Sequence, residues 1–189
     1  TIAGYENVTA DQVVLNYQTI GGTLSLSAED KNGNSVVVDD SRLREIESFA
    51  LGRLEKKGIS LELTSKNQLA LIDNNVTTVT SLPIMVDIST NTLVVRNGND
   101  LLPITYTPDR ALKNIIDQGI IAKINTKVTP IIEISEGEVV YKFEATKVYK
   151  IFGKFSVTAP VTISVSASTG DIVNRDQPLI TRAVSIISL

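Results

Sequence analysis

The stretch Val13-Val14-Leu15-Asn16-Tyr17-Gln18-Thr19-Ile20, followed by Gly21-Gly22 and then Thr23-Leu24-Ser25-Leu26-Ser27-Ala28, decides the fold class. Two glycines tolerate the positive φ that a two-residue turn requires. Leu24, Leu26 and Ala28 alternate with Thr23, Ser25 and Ser27, the period of a half-buried strand. Strand, tight turn and strand make an antiparallel hairpin with one face on a core. Downstream, Asp30-Lys31-Asn32-Gly33-Asn34 leads into Ser35-Val36-Val37-Val38, and Asn32-Gly33 predicts the type I′ turn of a second hairpin. The pattern then changes period. Leu43, Ile46, Ala50 and Leu54 share one face of a helix expected over about 41–57, with Asp39, Asp40 and Ser41 as caps and Lys56-Lys57-Gly58 as its end.

The same signals continue to the C-terminal end. Ile59, Leu61 and Leu63 alternate with polar neighbours, and Leu69 to Ile72 is apolar up to Asn74-Asn75. Ile84, Val86 and Ile88 lead through Ser89-Thr90-Asn91-Thr92 to Leu93-Val94-Val95, another hairpin. Leu101 to Tyr106 is a strand whose Pro103 requires an edge or a bulge, because proline donates no ladder hydrogen bond. Thr107-Pro108 opens a second helix, expected over about 108–118. After it come Ile131 to Ser135, the turn Glu136-Gly137, a long strand from Glu138, a bend at Gly153, Val157 to Val165, the turn Thr169-Gly170 and Leu179 to Leu189. The expectation is an α+β fold, mainly antiparallel β with two helices. It divides into 1–82, hairpins plus a helix, and 83–189, a helix plus an antiparallel meander, or forms one domain.

Composition limits the chemistry. Val, Ile and Thr supply 61 of the 189 residues, a density of β-branched side chains that favours pleated surfaces over helices. There is no Cys, His or Trp, which removes thiol nucleophiles, imidazole bases and the common zinc, copper and haem ligands. A net charge of −3 does not predict nucleic-acid binding, and no apolar run approaches the roughly 18 residues of a membrane-spanning helix. Asp30 to Asn34 has calcium-loop residue types but no carboxylate at the twelfth place, so it reads as a turn, and Asp39-Asp40 reads as helix caps rather than a chelate. No phosphate loop and no paired carboxylates at a fixed spacing are visible. The expectation is a non-catalytic binding or structural domain of the extracellular space or cell surface, without cofactor, metal or catalytic residue, and able to serve as a subunit of a larger assembly. A carboxylate-dependent hydrolase ranks below it.

One short echo runs through the chain. Ile84-Met85-Val86-Asp87-Ile88-Ser89-Thr90-Asn91-Thr92-Leu93-Val94 parallels Ile163-Ser164-Val165-Ser166-Ala167-Ser168-Thr169-Gly170-Asp171-Ile172-Val173. Asn91 and Gly170 hold the equivalent turn position, and these residue types best tolerate a left-handed conformation. The run from Pro108 through the helix, Glu136-Gly137, Val139-Val140-Tyr141-Lys142-Phe143 and Val165 to Val173 resembles the PepSY pattern, over about residues 108–175. In that family a helix precedes a small antiparallel sheet whose last hairpin carries a V-D-A-x-T-G-E-V signature; here Ser166 and Asp171 replace its Asp and Glu. The resemblance implies modulation of an extracytoplasmic peptidase. The whole chain is also similar to uncharacterised exported proteins of candidate-phylum bacteria, which implies no activity.

A candidate binding surface lies in the segment Tyr141 to Phe155. By parity Tyr141, Phe143, Ala145, Tyr149, Ile151 and Phe155 share one face of an extended strand, and Lys142, Glu144, Thr146, Lys150 and Lys154 share the other. Lys142, Lys150 and Lys154, helped by Lys147, would hold an acidic protein or an anionic surface polymer. The plainer reading is a lysine row that keeps an edge from aggregating.

Overall fold

The computed structural model describes residues 13–30, 32–98, 100–151 and 155–176. The chain is α+β and mainly antiparallel. Its first sheet contains β1 (Val14–Ile20), β2 (Thr23–Glu29), β6 (Ile84–Asp87), β7 (Thr92–Asn97) and β8 (Asp100–Ile104), in the order β2-β1-β6-β7-β8. The second contains β3 (Ile59–Leu63), β4 (Leu69–Asp73), β5 (Val76–Thr80), β10 (Ile131–Ser135), β11 (Glu138–Ile151), β12 (Phe155–Ser166) and β13 (Ile172–Asp176), in the order β13-β12-β11-β10-β5-β4-β3. The short β9 (Lys123–Ile124) pairs with β11 at Thr146 and Ala145. Helix α1 is Asp40–Glu55 and helix α2 is Pro108–Asp117.

Local chemistry explains the elements that the sequence predicts. Gly21 and Gly22 both adopt positive φ, and Ile20 pairs directly with Thr23. Asp39 caps α1 by accepting from Arg42 N at 3.0 Å, and Gly58 closes the helix at φ +77. Ile46, Ala50 and Leu54 are its buried stripe. Pro103 lies on β8, an edge strand of the first sheet, where its missing N–H costs no ladder bond.

Three features depart from the expected plan. The second hairpin does not form: Ser35 makes only an isolated bridge to Glu29. Asp30 draws the chain into a closed loop instead, its carboxylate accepting from Asn32 N, Asn34 N and Asn34 Nδ2, each at 2.8 Å. Second, β10 to β13 form the expected antiparallel meander, but β5 and β10 run parallel, joined at Val79 and Ile131, so strands of the first half extend its sheet. Third, the division at residue 82 does not follow the sheets. β1 and β2 pair with strands beyond it, β3 to β5 join a sheet completed by β10 to β13, and one apolar core draws on both sheets and both helices. The bend at Gly153 and the run Leu179 to Leu189 lie outside the described residues.

The sheets meet at a corner. Thr105 N and Tyr106 N both donate to Ala167 O, at 2.9 and 2.8 Å, and Ala167 N donates to Val139 O at 2.8 Å. The end of β8 is thereby tied to the end of β12, and α2 starts directly beyond the tie.

Candidate functional site

A cavity of about 430 Å³ opens where the end of α1, the start of α2, the β4–β5 turn and the β6–β7 turn converge. That volume falls within the range of small-ligand pockets, about 300–1,000 Å³. Its apolar lining comes from Leu54, Ile59, Leu93 and Ile104, and its charged lining from Lys57, Asp73, Asp109 and Arg110.

Asp73 is the structural centre of this cavity. It ends β4 on the buried side of the strand, only 2% exposed. One carboxylate oxygen accepts from Asp109 N at 2.9 Å, and the other from Asn74 Nδ2 at 3.2 Å. Thr107, the N-cap of α2, makes no side-chain capping bond, so a carboxylate from another element satisfies the helix end. Asn74, at φ +52, also approaches Asp109 Oδ2 at 3.4 Å through the same amide nitrogen. Asp73 is therefore a cap, with its oxygens engaged by N–H donors. Its charge adds to the effect of burial in pushing the Tyr141 phenol up. That phenol donates to Tyr106 O at 2.8 Å.

The remaining charges face the cavity without neutralising one another. Lys57 Nζ donates to Asn91 O at 2.9 Å, and the Arg110 guanidinium lies 4.9 Å from the centre of the Tyr106 ring. Among the described residues, none of Lys57, Asp73, Asp109 and Arg110 is in an ion pair. Asn91 belongs to the same lining. Its residue is 8% exposed, and its side-chain amide has no hydrogen-bond partner among the described residues.

The predicted lysine surface is not one cluster. Lys142 pairs with Glu133 at 3.2 Å. Lys150 is exposed on the same face of β11, roughly 26 Å away at about 3.3 Å per residue. Lys147 falls on the opposite face with Tyr149, its Nζ 5.2 Å from the ring centre. Lys154 lies outside the described residues. Parity does hold along β11, since Tyr141, Phe143, Ala145 and Tyr149 are buried. The turn positions Asn91 and Gly170 both adopt left-handed backbone, at φ +53 and +81.

The acidic groups weighed as metal ligands are occupied locally. Hydrogen bonds from Asn34 lead those that hold the Asp30 carboxyl below its usual range, and the Ser41 hydroxyl leads for Asp39. Lys57, Asp73, Asp109, Arg110 and the Asn91 side chain were not evident as a site, since four separate elements supply them. One signal was present. Leu69 and Leu71 fix the buried parity of β4, and Asp73 continues it, placing a carboxylate on the core side.

Comparison with family models, with curated proteins and with solved structures finds no match for this chain.

Proposed function

We propose that the protein is a non-catalytic binding domain that acts at the cell surface or in the extracellular space and takes its partner in the cavity between α1 and α2. The observation that carries this reading is a concave site whose charged groups are held in place but, among the described residues, not paired with one another. Asp73 caps a helix, Lys57 holds a turn carbonyl, and Arg110 stacks on a ring. Sequence composition adds that no thiol or imidazole is present to start nucleophilic chemistry. The absence of Cys and the wealth of Ser, Thr and Asn support the compartment. The dispersed lysines favour the cavity over the β11 face as the contact surface. Among the described residues, no helix is long and apolar enough to cross a membrane.

Backbone-amide NMR during a screen of short peptides, sugars and organic acids tests the proposal. Shifts centred on Asn91, Thr105 and Arg110, with the ligand recovered unaltered, are expected. Shifts confined to Lys142 and Lys150, hydrolysis of the ligand, or no response would overturn it.

A second reading, a PepSY-like modulator of a peptidase, draws support from residues 108–175. There α2 precedes the antiparallel set β10 to β13, and Asn114 Nδ2 reaches Gly170 O at 2.6 Å, tying the helix to the final turn. Its test is whether added protein changes the rate of an extracytoplasmic peptidase.

A further inference from the structure

We infer that the cavity between α1 and α2 is a site for short free peptides, bound by backbone amide and both charged ends. The inference rests on the binding reading above and names its ligand class. Three features of the lining carry it.

The first is Asn91. Its carboxamide makes no hydrogen bond among the described residues and keeps access to solvent, so its polar groups are available to a ligand. It offers one acceptor and two donors, the complement of a peptide C=O and N–H. The β6–β7 turn needs left-handed backbone here, and glycine would supply that more readily than asparagine. The amide is therefore more than the turn requires.

The second is the charge set. Lys57 and Arg110 against Asp73 and Asp109 sum to zero, yet no ion pair forms among them. Asp73 is spent on the N-terminus of α2, which leaves Asp109 as the carboxylate for a ligand ammonium. Arg110 can offer guanidinium N–H groups to a ligand carboxylate, with Lys57 as a second cation. A ligand bearing both charges satisfies this lining; an anion or a cation alone leaves one sign unmatched.

The third is shape. Leu54, Ile59, Leu93 and Ile104 provide an apolar wall for small side chains, and about 430 Å³ limits the ligand to a short one.

Calorimetry with trialanine and its blocked forms, beside NMR of the same mixtures, provides the test. Trialanine should bind and shift the Asn91 and Arg110 amides. N-acetylation or C-amidation should each weaken binding about tenfold or more. Asn91→Gly keeps the turn conformation and should lower affinity about tenfold at unchanged melting temperature, and Arg110→Gln should lower it similarly. Lys150→Ala, on β11, should leave affinity unchanged. Equal binding of free and doubly blocked trialanine would overturn the assignment of the charged ends, and unchanged affinity in Asn91→Gly would overturn the amide contact. If sugars or organic acids shift the cavity amides and trialanine does not, the ligand class is wrong and the binding reading stands. If nothing shifts them, both fall.

Discussion

At the β6–β7 turn, Asp87 Oδ1 accepts from Ser89 N at 2.9 Å, Ser89 Oγ at 2.6 Å and Thr90 N at 3.4 Å. At the β12–β13 turn, Ser166 Oγ meets the same three groups one echo later: Ser168 N at 3.3 Å, Ser168 Oγ at 2.9 Å and Thr169 N at 3.4 Å. Each turn then passes through a left-handed residue, Asn91 or Gly170, whose carbonyl is held by a side chain from the helical layer. Lys57 holds the first and Asn114 the second. The surroundings differ. A Cβ on Gly170 would lie 2.5 Å from the Tyr106 ring, whereas Asn91 carries a side chain and lines the cavity. One local device thus closes a packed corner in one place and lines an open site in the other.

The largest expected effect separates these two roles. Gly170→Ala combines left-handed strain with a clash against the Tyr106 ring, which lies under the Arg110 guanidinium and belongs to a residue whose backbone carbonyl accepts from Tyr141. It should lower stability by about 2–3 kcal/mol in denaturant titration. A loss below about 0.5 kcal/mol would mean that Tyr106 swings away freely, and the contrast between the turns would collapse.

A smaller effect sharpens the contrast through pH. Burial first, and the Asp73 charge second, push the Tyr141 phenol above its usual value, so the folded state favours the neutral form. Its contribution is fully present below the unfolded value, near 10, and is lost as pH rises beyond it. Tyr141→Phe should cost about 1 kcal/mol at neutral pH, through the lost bond to Tyr106 O, and should flatten the fall in stability between pH 10 and 11. Tyr17, raised by burial and then by Glu47, keeps part of that fall. Equal slopes in the two proteins would show that the phenol does not support the corner under Gly170.

The smallest effect is at the open turn. Asn91→Gly should change stability in denaturant titration by less than about 0.5 kcal/mol, in either direction, because glycine suits the conformation and the lost side chain makes no bond among the described residues. A loss as large as that of Gly170→Ala would make the Asn91 amide a structural group and remove the basis for its contact with a ligand.

Much of the fold was legible because its determinants are local. Two-residue turns announced themselves through Gly21-Gly22 and Glu136-Gly137, α1 through Asp39 and its buried stripe, and β11 through the parity of Tyr141, Phe143 and Ala145. β5 escaped for a physical reason. Its core-facing positions are Thr78 and Thr80, buried hydroxyls that donate to Leu71 O at 3.2 Å and Ile132 O at 3.0 Å, so no apolar alternation marks the strand. The Asp30 loop misled for the opposite reason, since the strong turn signal Asn32-Gly33 was preceded by a carboxylate that took the backbone donors of Asn32 and Asn34.

The sequence by itself determined the α+β class, most turns, both helices and the exclusion of thiol and imidazole chemistry, all of which depend on neighbours a few residues apart or on residue types alone. Tertiary structure decided which strands share a sheet, and with that the cavity. Pairing β1 with β6 and β5 with β10 brings Lys57, Asp73, Asn91 and Arg110 around one space from four separate elements. No local period encodes such a meeting, because strand pairing is fixed by burying one shared core.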